Sequence, residues 1–468
     1  MVFSSLIFIF MFLPSVLIIY YLVPNRFKNL VLFISSIVFY AWGEPIYIVL
    51  MIFSILINYL AGLLIKNNDK DKSKRKFIFF TVVLIDISVL LFFKYYGFLI
   101  SNINWVFGSN LEIRELPLPL GISFYTFQLI SYIVDVYMNK VKAQKNIIDF
   151  GAYISMFPQL VAGPIVKYSD IESQLKKKEL SIDKFGQGVE RFILGLGKKV
   201  LIANNLGAIW QQVKIIPIDS LTVLTGWIGI ISFTLQIYYD FSGYSDMAIG
   251  LGKMLGFEFL ENFNYPYMSK SITEFWRRWH ISLGSWFKEY IYIPLGGNRR
   301  GNVIQFRNLM IVWFTTGLWH GASWNFIVWG LYFGLIIYSE KIFLKSILKN
   351  VPNIIAHIYT MTLVAIGWIF FDLSSLNDAI EYIKVILGLN GNKLCNNFSL
   401  YLISTNLIIL IIAIILSTDM INKTIKDIKK RLRERDIFLF VFIELIILII
   451  STAYLIGESY NPFLYFRF

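Results

Sequence analysis

Long, continuous runs of apolar residues, separated by short polar and basic segments, extend along the whole chain. Many of these runs approach or exceed the roughly 20 residues that an α-helix needs to cross a bilayer. They lack the alternation of apolar and polar positions that marks the strands of a membrane β-barrel. The pattern predicts an all-α, polytopic integral membrane protein with about eleven transmembrane helices. The candidate spans are 3–23, 29–42, 46–65, 77–93, 119–138, 190–208, 221–239, 308–319, 324–346, 354–371, 398–418 and 437–456.

Two further stretches are expected to enter the membrane without crossing it. The first is 146–166, which contains Pro158 and Pro164, and the second is 279–295. Such re-entrant or interfacial helices are tolerated only where protein or a water-filled cavity covers their backbone. Because the sequence shows no internal repeat and no separate soluble domain, we expect a single membrane domain over residues 1–468.

Composition and charge agree with a membrane protein whose loops set its orientation. The chain is 57% hydrophobic and carries a formal net charge of +13. In a soluble protein this charge would favour nucleic acid as a partner. Here most of it lies in short loops, so we expect membrane lipids around the chain and no nucleic acid. Alternating the early helices places the basic loops at 26–28, 66–76 and 140–145 in the cytoplasm. The first segment lacks a basic n-region, which indicates a retained helix rather than a signal peptide.

The best candidates for chemistry are two of the three histidines in the 468 residues. His280 and His320 both lie in tryptophan-rich stretches between strongly apolar segments. Ionisable groups are costly inside a membrane and usually mark a functional site. Imidazole is also the side chain best suited to exchange a proton near pH 7. With one cysteine, Cys395, and no HExxH pair, no metal site is expected.

His280 lies in the most polar part of the second half of the chain. Ser271 and Glu274 fit a capping box, which predicts the start of a helix. The spacing of Trp276, His280, Leu283 and Phe287 would then place these four side chains on one helix face. An alternative interpretation is an amphipathic interfacial helix whose arginines and tryptophans anchor it at the level of the headgroups.

His320 is flanked by Gly317 and Gly321, which permit close helix packing and the approach of a substrate. The alternative is a histidine hydrogen-bonded to a neighbouring helix. An acid beside a histidine would suggest a base with an orienting partner. Sequence alone does not show whether any acid reaches a histidine, and structural hydrogen bonding is an equal alternative for each. The acids within apolar segments are Asp86, Asp135, Asp240 and Asp246.

Several segments together resemble the membrane-bound O-acyltransferase (MBOAT) family, in the branch that contains membrane components of alginate and peptidoglycan O-acetylation. The resemblance is strongest over about 150–340, and it implies the MBOAT fold and acyl transfer from a cytoplasmic thioester. His320 matches the hallmark histidine of the family, and His280 matches a second polar position. The matching segments are 241–246 (FSGYSD), 261–267 (ENFNYPY), 273–282, 290–299 and 319–321 (WHG).

The resemblance also implies a donor and a partner. The donor would be acetyl-CoA at the cytoplasmic mouth, with its phosphates held by charge-assisted contacts. The partner would be an extracytoplasmic, SGNH-hydrolase-like acetyltransferase that completes transfer to a glycan acceptor. The candidate phosphate-binding residues are Arg277, Arg278, Arg299, Arg300 and Arg307.

The aromatic tail, 457–468, resembles a C-terminal motif shared by this branch and by a small partner peptide of the D-alanyl system. In that motif a tyrosine is proposed as a transient acyl carrier, and Tyr465 is the matching position. The alternative is a tail that only anchors the chain at the membrane interface.

The sequence therefore favours an O-acyltransferase of the bacterial plasma membrane that moves acetyl groups outward to a polysaccharide. Two alternatives remain. A transporter would carry a lipid or sugar without acyl chemistry, and it would tolerate glutamine at His320. A passive scaffold for the partner enzyme would tolerate loss of both His280 and His320.

Overall fold

The structure is a computed structural model that describes residues 1–114, 116–161, 163–431, 437–457 and 463–464. Throughout these ranges the regular structure is helical, so the all-α prediction is confirmed. The α-helices are α1 Leu13–Leu22, α2 Lys28–Gly43, α3 Ile48–Asn67, α4 Lys72–Phe107, α5 Ile122–Tyr137, α6 Ile147–Ser155, α7 Phe157–Leu160, α8 Tyr168–Lys176, α9 Ile182–Gly197, α10 Asn204–Lys214, α11 Val223–Met254, α12 Ile272–Arg278, α13 Ile281–Phe287, α14 Asn302–His320, α15 Trp324–Ser339, α16 Lys345–Asn350, α17 Asn353–Asp372, α18 Leu376–Ile386, α19 Asn397–Leu416, α20 Met420–Arg431 and α21 Ile437–Gly457.

Wider π-helical turns extend or join several of these helices, and short 3₁₀ turns connect others. The π-helical segments are Phe8–Phe12, Lys198–Ala203, Lys288–Tyr292 and Glu340–Leu344. The 3₁₀ segments are Asn25–Phe27, Ile218–Ser220 and Pro266–Met268.

Every candidate membrane span falls on a helix, although several helices are longer than predicted. The span 77–93, for example, becomes α4, because Asp71 caps its start and accepts bonds from the Ser73 and Lys74 amides at 3.1 and 3.0 Å. Gly108, in the left-handed region at φ 62°, follows its last residue.

Seven helices within the described ranges are long and apolar enough to cross a bilayer, which confirms a polytopic membrane protein. The total of about eleven spans stays a prediction. The seven are Ile48–Asn67, Lys72–Phe107, Ile182–Lys214, Trp324–Asn350, Asn353–Asp372, Asn397–Leu416 and Phe438–Gly457.

The described chain divides into two compact units. The first contains Met1–Phe192 and Tyr244–Leu260, and the second contains Ile193–Gly243 and Glu261–Leu464. Both candidate histidines lie in the second unit. The single membrane domain over 1–468 stays a prediction.

Three of the four acids within apolar segments belong to the first unit and have partners there. Asp86 accepts a bond from buried Asn58 at 2.9 Å, which ties α4 to α3. Asp246 pairs with Arg191 at 2.8 Å, and Asp135 lies 3.5 Å from the Lys140 ammonium. These contacts support structural roles.

In the second unit, α14 and α15 approach closely through two glycines, and α15 packs against α17. A Cβ atom at Gly317 would lie 2.3 Å from the Phe326 carbonyl oxygen, and one at Gly330 would lie 2.2 Å from the Trp313 oxygen. Close packing at Gly317 is therefore confirmed. A Cβ atom at Gly321 would overlap the Phe326 ring, at 2.1 Å.

Candidate active site

His320 is the last residue of α14 and is held among aromatic rings. Its side chain is buried, and its ring centroid lies 4.8 Å from that of Trp329 and 5.2 Å from that of Phe371. These rings come from α15 and α17. The three helices thus enclose the imidazole in apolar surroundings that limit its contact with water.

His280 is positioned by a break between two short helices, so the continuous helix predicted from Ser271 onward is wrong. Helix α12 ends at Arg278, and His280 adopts a left-handed backbone with φ 46° before α13 begins. Trp276, His280 and Leu283 therefore do not share a continuous helical face.

A separate segment, 262–264, causes this break by bonding to the backbone on both sides of His280. The Asn264 amide donates to the Arg278 carbonyl at 2.9 Å, and the Ile281 amide donates to the Asn262 carbonyl at 3.0 Å. These bonds take the groups that a continuous helix would use for its own ladder.

Asn262 also belongs to the site, although the sequence did not predict it as a site residue. It is fully buried, and its Oδ1 atom accepts bonds from the Ser282 amide at 3.1 Å and the Ser282 hydroxyl at 2.9 Å. The same oxygen lies 3.2 Å from His280 Nδ1. Asn262 belongs to a segment that carries the family resemblance, but nothing in the local sequence indicates its contact with His280.

The indole of Trp319 contacts both imidazoles. Its ring centroid lies 4.9 Å from His320 and 6.0 Å from His280. Phe241 of α11 packs against the His280 imidazole, with a centroid separation of 4.7 Å. The structure therefore brings the two predicted histidines together at one aromatic cluster.

Burial decides the charge state of His280. Removal of the ring from water lowers its pKa to about 3, because the charged form loses its hydration. His280 is consequently neutral at physiological pH, and it can accept a proton only when a reaction compensates for the lost hydration.

The start of α12 was predicted correctly, and a distant acid reinforces it. The Ser271 hydroxyl accepts a bond from the Glu274 amide at 3.0 Å. The buried carboxylate of Glu340 accepts bonds from the Ile272 and Thr273 amides at 2.7 and 2.8 Å. A carboxylate is favourable at a helix N-terminus, so Glu340 fixes α12 to the end of α15.

The five candidate arginines differ in their surroundings. Arg277, Arg299, Arg300 and Arg307 are exposed, and Arg278 is half-buried. Arg278 forms an ion pair with Glu274 at 2.8 Å, whereas Arg307 donates to the Asn308 side chain and the Leu295 carbonyl. Arg277, Arg299 and Arg300 are therefore better placed to meet an anionic ligand than Arg278 and Arg307, which already bond to protein groups.

The turn before α14 is also built by its sequence. Gly296, Gly297 and Gly301 adopt positive φ angles of 103°, 57° and 90°, which glycine accepts without steric cost. Buried Asn308 donates to the Gly297 carbonyl at 2.9 Å, and this bond attaches the turn to α14.

Comparison with known proteins identifies the family. The model of the membrane-bound O-acyltransferase family matches residues 141–370. The probable alginate O-acetylase AlgI of Pseudomonas aeruginosa is 43% identical, over 81% of this chain and 73% of that protein. The chain belongs to the MBOAT family. The peptidoglycan O-acetyltransferase of Helicobacter pylori is 36% identical, over 85% of this chain and 81% of that protein. The teichoic acid D-alanyltransferase of Bacillus subtilis is 26% identical, over 64% of this chain and 79% of that protein.

Membership of the MBOAT family makes this protein an acyltransferase that uses an acyl donor. Its apolar helices and bacterial relatives identify it as a multi-pass protein of the bacterial inner membrane. Acyl chemistry is therefore favoured over the transporter alternative. His280, His320 and Asn262 all lie within the matched residues.

The C-terminal tail of this MBOAT protein reaches a buried ion pair in the second unit. The Lys199 ammonium lies 2.7 Å from Asp240 Oδ1, and the Leu464 amide donates to Asp240 Oδ2 at 2.8 Å. Phe463 and Leu464 are both buried. Tyr465, the predicted acyl carrier, lies outside the described residues.

The fourth acid, Asp240, therefore serves Lys199 and the tail. Its neighbour Phe241 packs against His280. Within the described ranges, no group of three or more His, Cys, Asp and Glu side chains is arranged to hold a metal ion.

Proposed function

We propose that this protein takes acetyl groups from acetyl-CoA at the cytoplasmic side and delivers them outward for O-acetylation of an extracytoplasmic polysaccharide. The observation that carries the proposal is the pair of buried imidazoles at the Trp319 indole, inside the residues that match the family. The relatives named for alginate and peptidoglycan O-acetylation support a polysaccharide acceptor.

His320 is the catalytic base in this proposal. A hydroxyl oxygen attacks the thioester carbonyl carbon, and His320 takes the hydroxyl proton. The carbon–sulfur bond then breaks, and the proton passes to the departing coenzyme A thiolate. General base catalysis of this kind typically contributes 10²–10⁴-fold in rate. The apolar surroundings of His320 help to limit hydrolysis of the thioester.

His280 supports His320 by orienting the bound substrate. Its low pKa keeps the ring neutral, so it offers a hydrogen-bond acceptor rather than a second positive charge. Its contact with Trp319, which also contacts His320, supports a position for this acceptor near the reacting groups.

The phosphates of acetyl-CoA bind the exposed arginines in this proposal. Arg277, Arg299 and Arg300 carry the main contacts, whereas Arg278 and Arg307 contribute less because protein groups already engage them. Because the contacts are exposed, salt weakens them.

Tyr465 carries the acetyl group to the outer face. Phenol has a pKa near 10, so it needs a base to become a nucleophile. The burial of Leu464 and its bond to Asp240 support a tail that folds into the protein and not one that lies only at the membrane interface. The acetyl ester of the Tyr465 phenol is a reactive donor. It passes the acetyl group to an extracytoplasmic, SGNH-hydrolase-like acetyltransferase that modifies the glycan.

Calorimetric titration of the purified protein with acetyl-CoA tests the donor. We expect saturable binding that weakens as salt is raised, and that weakens further in Arg277→Gln, Arg299→Gln and Arg300→Gln. The matched control is Lys253→Gln, which also removes one positive charge. Lys253 donates to Gln187 in the first unit, so this variant should bind acetyl-CoA normally. Active protein that does not bind acetyl-CoA would exclude this donor.

A further inference from the structure

Asn262 fixes more than the backbone around His280, because the donors at its side-chain oxygen determine which way the amide faces. The backbone N–H of Ser282 can only donate, and it lies 3.1 Å from the Asn262 side chain. The atom it meets must be the carbonyl oxygen, since an NH₂ group there would set two donors against each other. The orientation of the amide therefore follows from chemistry.

The tautomer of the imidazole follows from the same oxygen. His280 Nδ1 lies 3.2 Å from Asn262 Oδ1, which can only accept. In a neutral ring one nitrogen carries the proton and the other carries the lone pair. Nδ1 must carry the proton, and Nε2 is then the acceptor.

We propose that Asn262 is a positioning residue that holds neutral His280 as the Nδ1–H tautomer, so that Nε2 offers a lone pair to an N–H or O–H donor of the bound substrate, while the single proton of the attacking hydroxyl goes to His320. The opposite tautomer would present an Nε2–H donor, which suits the oxyanion of a tetrahedral intermediate instead. The geometry thus assigns His280 to a hydrogen-bond donor of the substrate and not to the oxyanion. This assignment of a catalytic role rests on the proposed function.

The backbone at His280 shows that Asn262 acts at close range. The left-handed region is unfavourable for a residue with a Cβ atom, so the conformation at His280 persists only where its neighbours impose it. The Asn262 carbonyl receives the Ile281 amide and its side chain receives the Ser282 amide, immediately after His280. One buried residue therefore sets the backbone, the ring orientation and the tautomer.

Nitrogen-15 NMR of histidine-labelled protein tests the inference directly, because the chain contains only three histidines. His280→Gln identifies the His280 signals. We expect wild-type His280 to show a protonated Nδ1 and an unprotonated Nε2. Asn262→Asp keeps the acceptor and should keep this tautomer, whereas Asn262→Ala should lose the preference.

Ser282→Ala is the matched control. It removes one bond to the same oxygen but keeps the Ser282 amide, so the His280 tautomer should not change. A protonated Nε2 in neutral wild-type His280, or an unchanged spectrum in Asn262→Ala, would overturn the inference. The NMR result does not depend on turnover. If the tautomer is as expected but His280→Gln transfers acetyl at the wild-type rate, the positioning holds and the proposed role of His280 fails.

Discussion

At the scale of single residues, the two histidines are held by different means. His320 is surrounded by the rings of Trp319, Trp329 and Phe371, whereas His280 is bonded to a buried amide. The hydrogen bond to Asn262 fixes the tautomer of His280.

Replacement of His320 tests the base. We expect His320→Ala to lower acetyl transfer by about 10²–10⁴-fold, because the variant lacks the base that takes the hydroxyl proton. His320→Gln should fail equally, since glutamine has no basic nitrogen. Release of coenzyme A from acetyl-CoA measures the rate.

The third histidine supplies the control. His357 Nδ1 lies 3.1 Å from the Ser269 carbonyl, and His357→Ala should keep transfer near the wild-type rate. Normal transfer by folded His320→Gln would show that His320 is not the base.

The two histidines of the site could be predicted from the sequence, but the residue that holds His280 in place could not. Histidine is rare in this chain and costly in a membrane, which identifies His280 and His320. The bond from Asn262 crosses 18 positions of sequence. No local pattern encodes a contact between two separate segments.

At the scale of elements, the sequence predicts helix ends that depend on neighbouring residues, but not those that depend on a distant segment. Ser271 caps α12 as predicted, because a cap depends on residues within one turn. The break at His280 depends on backbone bonds from 262–264, which a periodic pattern cannot reveal. The prediction that Trp276 and His280 share one helix face was wrong for this reason.

Close packing of α14 against α15 should control the position of His320. A methyl group at Gly317 would lie 2.3 Å from the Phe326 carbonyl, so Gly317→Ala must move one helix. We expect a loss of about 1–3 kcal/mol in stability. Transfer should fall more than acetyl-CoA binding, since His320 lies one turn along the helix. Thermal unfolding in detergent and a rate measurement check both effects.

Gly186→Ala in α9 is the matched substitution. A methyl group there meets nothing within 4 Å, and alanine favours a helix by roughly 0.5–1 kcal/mol over glycine. A Gly317→Ala protein as stable and active as Gly186→Ala would contradict the importance of this crossing.

At the scale of the whole molecule, apolar runs predicted where helices lie but not how many cross the membrane. Helix α5 shows the reason. It buries Ser123, Thr126 and Gln128 against protein, and such polar groups lower the hydropathy on which a span is recognised. Burial inside a bundle and exposure to lipid are separate properties, and composition does not distinguish them.

The C-terminal tail is attached to α11 by the bond from the Leu464 amide to Asp240. Replacing Asp240 together with its partner Lys199 removes this attachment without leaving a buried charge. Asp240→Leu alone should cost about 3–5 kcal/mol, because Lys199 stays buried without its carboxylate. The double variant Lys199→Met, Asp240→Leu should recover most of this stability. It still lacks the acceptor for the Leu464 amide, so the tail should become sensitive to protease.

The double variant should also bind acetyl-CoA normally while losing acetyl transfer to the outer partner. Limited proteolysis, calorimetry and a transfer assay measure the three properties separately. A stable double variant with a protected tail and normal transfer would show that Asp240 does not position the tail.

The most direct test of the central claim is mass spectrometry of the tail peptide after incubation with isotope-labelled acetyl-CoA in the absence of a partner. The wild-type protein should carry one labelled acetyl group on Tyr465. Tyr465→Phe should bind acetyl-CoA but carry no label and transfer no acetyl group to the partner, and His320→Ala should also carry no label. Glycan acetylation by Tyr465→Phe at the wild-type rate would contradict the relay through the tail.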